Sequence, residues 1–94
     1  MTPEPISTSI TITHPLGLHL RVGKDMVHVA NQYTSDITAQ NLTRSSPVVN
    51  AKSILQLMQL QARQGHILRV FAVGPDAHEA LDALRQLFET SIGL

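Results

Sequence analysis

The sequence predicts an α+β open-faced sandwich in the order β-α-β-β-α-β-α, with four antiparallel strands and three helices on one face. Two kinds of periodicity point to it: apolar residues alternate with Ser and Thr in some segments and recur every three or four residues in others. A third observation is the pair of capping signals, Ser53-Ile54-Leu55-Gln56 and Asp76-Ala77-His78-Glu79, each opening a helical pattern. At 94 residues the chain suits a single domain over 1–94, with 1–5 as an N-terminal tail and 92–94 as a frayed end. Apolar residues make up 43% and aromatics 3%, so the core is aliphatic.

Ile6, Ile10 and Ile12 stand out among Ser and Thr, the period-two pattern of a half-buried strand over 6–13. His14-Pro15-Leu16-Gly17 ends it, since Pro fixes φ and Gly permits a turn. From His19 onward Val22, Met26, Val29, Ala30 and Tyr33 share one helix face. A strand fits 35–42, Thr43 to Pro47 supply turn chemistry, and Val48-Val49 complete a hairpin. The second helix starts after Ser53 and runs to about Gln64, with Gly65 as its stop. Leu57 and Leu60 face inward, whereas Ile54, Leu55 and Met58 spread around the other side. His66 to Val73 is a strand bounded by Gly74-Pro75, and the last helix buries Ala77, Ala80, Leu81, Leu84, Leu87 and Phe88 while Asp82, Arg85, Gln86 and Glu89 face solvent. Two β-α-β halves also describe ferredoxin-like folds, so element order alone leaves the sheet topology open.

Seven Lys plus Arg balance seven Asp plus Glu, and two Phe with one Tyr offer little to stack on bases. That argues against nucleic acid as a partner. No apolar run approaches the length of a membrane span, and Met1-Thr2-Pro3-Glu4-Pro5 has neither a basic nor an apolar leader region. The expectation is a cytoplasmic monomer without membrane insertion. Absence of Cys removes thiol catalysis and thiolate metal sites, and His14, His28 and His66 do not follow a ligand spacing. No metal and no cofactor are expected.

The chemistry concentrates in Gly17-Leu18-His19-Leu20-Arg21, which puts an imidazole and a guanidinium at the start of a helix. The first N–H groups of a helix lack intrahelical partners and carry the positive end of its dipole, so they favour an anion. A neutral imidazole nitrogen can accept a phosphoryl group and later release it. Arg21 would offer planar donors to the phosphate oxygens, and the main-chain N–H groups of Leu20, Arg21, Val22 and Gly23 would supply the rest. One His with an Arg two residues on is equally the plain polar start of a helix.

Gly17-Leu18-His19-Leu20-Arg21, followed by Ala51-Lys52-Ser53-Ile54-Leu55 and Gln64-Gly65, resembles the histidine-containing phosphocarrier (HPr) family of the bacterial sugar phosphotransferase system. The likeness runs over roughly residues 6 to 90, with the same element order. It implies that His19 is phosphorylated on Nδ1 by enzyme I, with phosphoenolpyruvate as the ultimate donor, and passes the group to a IIA-type acceptor. The chain would then be a carrier and not a stand-alone enzyme. It implies that Arg21 contacts phosphate and partner, that Ser53 is a candidate target of a regulatory Ser kinase or phosphorylase, and that Lys24, Ile54, Leu55 and Met58 adjoin the docking face. A capping Ser before Gln56 also needs no regulation to explain it.

The pattern departs from the family at Val22-Gly23, where Pro-Ala is usual, at Lys24 in place of a small residue, and at Gln61 where Gly is frequent. Val22 restores an N–H that Pro would lack. The segment between Ser35 and Ser53 is about three residues longer than the common form, as a longer hairpin turn. Val22-Gly23 and Lys24 motivate an alternative: a regulatory HPr-like module that docks on a transcription factor, kinase or enzyme. A small-ligand-binding domain without phosphate chemistry is the third class.

Overall fold

The structure, a computed structural model, describes residues 4–90. Most of the expected N-terminal tail, Met1 to Pro3, and the expected frayed end lie outside the described residues. The order is β1 (Ile6–Thr11), α1 (Leu20–Ala30), β2 (Asp36–Asn41), β3 (Val49–Asn50), α2 (Ile54–Met58), β4 (Ile67–Val73) and α3 (Ala77–Thr90). The strands form one antiparallel sheet ordered β1-β4-β2-β3, in which β4 pairs with both β1 and β2. This is the predicted open-faced sandwich, and the strand order settles the topology that element order left open.

Alternation decides which face is covered. Ile10 of β1, Ile37 and Ala39 of β2, Val49 of β3, and Leu68, Val70 and Ala72 of β4 are buried with Val22, Met26 and Ala30 of α1, Leu57 of α2 and Ala77, Ala80, Leu81 and Leu84 of α3. Ser7, Ser9, Thr11 and Arg69 on the opposite face are exposed, as period two requires. Leu87 and Phe88 are half-buried at the margin of the core. The predicted β1 is two residues too long, although Ile12 continues the pairing by donating to the His66 carbonyl at 2.9 Å. Tyr33 lies beyond the end of α1, yet still packs on the core.

The largest correction concerns α2, which ends at Met58 rather than near Gln64. Tertiary hydrogen bonds capture the groups that would have extended it: the Leu60 carbonyl accepts from Asn41 Nδ2 at 3.0 Å, and the Ala62 carbonyl accepts from the Leu18 N–H at 2.8 Å. Gln61 adopts a left-handed φ of 46°, which breaks the helix outright.

Both capping boxes are rewired. Ser53 Oγ accepts from the Gln56 N–H, but Gln56 Oε1 accepts from the Asn50 N–H at 3.0 Å instead of reaching back to Ser53. Asp76 precedes α3, yet its carboxylate clamps the turn before β2: it accepts from the Thr34 and Ser35 N–H groups, each at 2.9 Å, and from both hydroxyls. The Ser35 hydroxyl and the Thr34 N–H are the main causes that hold this carboxyl at about 2, below its ordinary 3.8. A depressed carboxylate stabilises the fold fully above its unfolded value and loses that contribution as pH falls through the folded one. Urea midpoints of the wild type should therefore decline between about pH 4 and pH 2. The Asp76→Asn variant should be weaker at neutral pH and flatter across that window. Parallel pH profiles for the two proteins would show that the clamp contributes nothing.

Candidate functional site

His19 is the N-cap of α1, with φ −82° and ψ 171°. The helix thus begins one residue later than the periodicity suggested. An N-cap carbonyl accepts the first intrahelical bond, and here the Gly23 N–H donates to the His19 carbonyl at 2.9 Å. Gly23 is therefore not available as a phosphate donor, contrary to expectation. The N–H groups of Leu20, Arg21 and Val22 have no partner among the described residues, the His19 side chain does not cap them, and the first turn contains no acid. Three donors and the positive end of an eleven-residue helix lie open.

The His19 side chain is half-buried, and its Nε2 is buried with no hydrogen-bond partner. Nδ1 is left as the ring nitrogen that solvent reaches. Arg21 is exposed, and no carboxylate pairs with it among the described residues. The guanidinium is free to turn toward an anion on the helix end.

The loop that delivers His19 is anchored by the segment that follows α2. Gly17 has φ +69° and passes so close to the segment after α2 that a Cβ there would lie 2.5 Å from the Ala62 carbonyl oxygen. That segment is fixed in turn by Asn41, fully buried, whose Nδ2 contacts the Leu60 carbonyl and His66 Nδ1, each at 3.0 Å. His66 Nδ1 also accepts from the Arg63 N–H. His66, a scattered histidine by sequence, is thus a structural acceptor.

Gly23 has a packing role. A Cβ at this position would meet Met58 Cε at 2.4 Å and Ile54 Cδ1 at 3.1 Å, so its absence lets the start of α2 settle against α1. Ile54 and Met58 are consequently half-buried, Met58 against the core, while Leu55 is 80% exposed. Of the three apolar residues among the four expected docking residues, Leu55 projects fully and the other two are half-buried. Lys24 is exposed on α1 next to Gly23. Because both crowding atoms end flexible side chains, Gly23→Ala should change stability by less than about 1 kcal/mol, the gain in helix propensity offsetting the shift of Met58. Urea unfolding would measure it, and a larger loss would mean that Met58 cannot move.

Sequence reading missed two exposed side chains flanking His19: Leu16 at 73% and Leu20 at 53%. Neither falls on the helical stripe of Val22 and Met26, and that off-stripe position was the available signal. Ser53 is the half-buried N-cap of α2. Among the described residues no group of three or more His, Asp or Glu could hold a metal ion, and no helix is long and apolar enough to cross a membrane.

The chain matches the family described as "PTS HPr component phosphorylation site" over residues 6–90. It is 41% identical over 80 residues to a phosphocarrier protein HPr of Xylella fastidiosa, covering 85% of this chain and 86% of that protein. It is also 41% identical over 85 residues to a multiphosphoryl transfer protein of Haemophilus influenzae, covering 90% of this chain but spanning only 17% of that relative's length. The crystal structure of HPr-C-His from Thermoanaerobacter tengcongensis superposes with a TM-score of 0.85 at 34% identity, covering 95% of this chain and 97% of that one. With the family match over most of the chain and an overall superposition of this quality, the chain belongs to the HPr family of the phosphotransferase system.

Proposed function

We propose that this chain is a phosphocarrier that accepts a phosphoryl group on His19 Nδ1 from enzyme I and passes it to a IIA-type acceptor. The observation that carries this reading is the open first turn of α1, three unpartnered N–H groups behind a histidine whose Nε2 is buried. Nδ1 attacks the phosphorus of the phosphorylated donor with its lone pair. The new N–P bond forms as the donor's bond to phosphorus breaks, and the donor atom keeps that electron pair. The N–H groups of Leu20, Arg21 and Val22 and the Arg21 guanidinium take up the charge on the phosphoryl oxygens. Transfer to the acceptor is the same displacement with Nδ1 as leaving group. The chain is then a covalent intermediate between partners.

Leu55, with Leu16 and Leu20, gives the apolar part of the docking face, and Lys24 and Arg21 its positive part. Ser53 is the candidate regulatory position: a phosphate there would add negative charge to the start of α2, beside Ile54 and Leu55. Phosphate on Ser53 that left binding of enzyme I unchanged would remove that role.

The test is incubation with enzyme I and phosphoenolpyruvate, followed by intact mass at alkaline pH and peptide mapping. One acid-labile phosphoryl group on His19 is the expected result. No adduct in the presence of active enzyme I would defeat the carrier reading in favour of the regulatory module, for which the departures at Val22, Gly23 and Lys24 speak.

A further inference from the structure

The loop before His19 holds a second imidazole that the transfer just described does not use. His14, Pro15, Leu16 and Gly17 form a β-turn in which the Gly17 N–H donates to the His14 carbonyl at 2.9 Å, with Pro in the second place and Gly in the fourth. Within it the Leu16 N–H donates to His14 Nδ1 at 3.0 Å, the local bond that Asn or Asp makes at the head of such turns. The bond restrains the His14 ring. That ring lies 4.8 Å from the His19 ring between centroids, with the planes inclined at 58°. The His19 ring itself is held by no side-chain hydrogen bond among the described residues, and the torsion that turns an imidazole is broad and roughly two-fold. A half-turn would put a carbon where Nδ1 stands.

We propose that His14 is a positioning residue for His19: its imidazole, restrained by the turn, is the wall that keeps the His19 ring in the rotamer presenting Nδ1 to the open end of α1. The transfer readout of this inference rests on the phosphocarrier reading, whereas the ring geometry does not. Chemically, the wall raises the fraction of molecules ready to react, and the rate scales with that fraction.

Two variants separate the ring from the turn. His14→Asn keeps an acceptor for the Leu16 N–H and removes the ring, while His14→Phe keeps a ring and removes the acceptor. In unphosphorylated protein, NMR of the His19 side chain should show one rotamer in the wild type, averaging in His14→Asn, and one dominant rotamer in His14→Phe. Phosphorylation by enzyme I should show kcat reduced about two- to tenfold in His14→Asn at unchanged KM, with His14→Phe nearer the wild type. A His14→Asn protein with wild-type His19 ring contacts and kcat would overturn the proposal. So would a defect confined to His14→Phe, since it would assign His14 to the turn alone. Should the wild type accept no phosphoryl group, the carrier reading fails while the ring measurement still decides the role of His14.

Discussion

Replacing His19 with Asn should yield a protein that carries no phosphoryl group and is more stable than the wild type. The backbone of residue 19 already has the extended conformation of an N-cap, and its side chain caps nothing. Asn places an acceptor within reach of the Arg21 or Val22 N–H and, in the same step, removes a buried, unpartnered Nε2. The expected gain is about 1 kcal/mol. For a domain of this size that corresponds to a rise in Tm of roughly 4–8 °C, readable by thermal melts. Intact mass after incubation with enzyme I and phosphoenolpyruvate should show no acid-labile adduct. A less stable His19→Asn protein would mean that the lost ring packing outweighs the new cap, and the His19 pocket would then be a structural element in its own right. The expected outcome makes His19 a residue kept at the expense of its helix, as functional positions often are.

Gly17→Ala should be a strongly damaging small substitution at the candidate site. Its φ of +69° disfavours any side chain, and the added Cβ would lie 2.5 Å from the Ala62 carbonyl oxygen and 2.8 Å from Arg63 Cα. Both neighbours are backbone, and the Ala62 carbonyl is held by the Leu18 N–H, so neither yields without breaking the anchor of the loop. Strain and displacement together should cost about 2–4 kcal/mol in urea unfolding. Against a typical total stability of roughly 5–15 kcal/mol this is a large share. Phosphoryl transfer should fall with it, since the same shift displaces His19. Gly65→Ala supplies the control: φ is +89° but nothing lies within 4 Å of the added Cβ, so only the backbone term remains, about 1–2 kcal/mol. Equal losses in the two variants would show that contact with Ala62 and Arg63 is immaterial.

Much of this was legible before any coordinates. The alternation of Ile6, Ile10 and Ile12 and the helical spacing of Ala77, Ala80, Leu81 and Leu84 reflect local geometry, and the elements they predicted are present. What escaped was long-range hydrogen bonding. Residues 59–64 have the composition of a helix, but Asn41 and Leu18 claim the Leu60 and Ala62 carbonyls from distant parts of the chain. Asp76 reads as a helix cap because capping residues are recognised locally, whereas its carboxylate serves Thr34 and Ser35 some forty residues earlier. At the candidate site His19 and Arg21 were readable from their place after a turn. The closeness of the His14 and His19 rings was not, since it arises only once that turn closes.

The unfilled first turn of α1 also tells the three helices apart. In α2 the Ser53 hydroxyl accepts from the Gln56 N–H, and α3 carries Glu79 in its first turn, so an anion approaching either meets an acceptor already in place. Only α1 begins with neither. Seen from a phosphoryl group, the described residues present three positive helix ends, of which one already has a side-chain cap and another an acid in its first turn. Selectivity between helix ends needs no specialised pocket: it follows from withholding a cap at one of them.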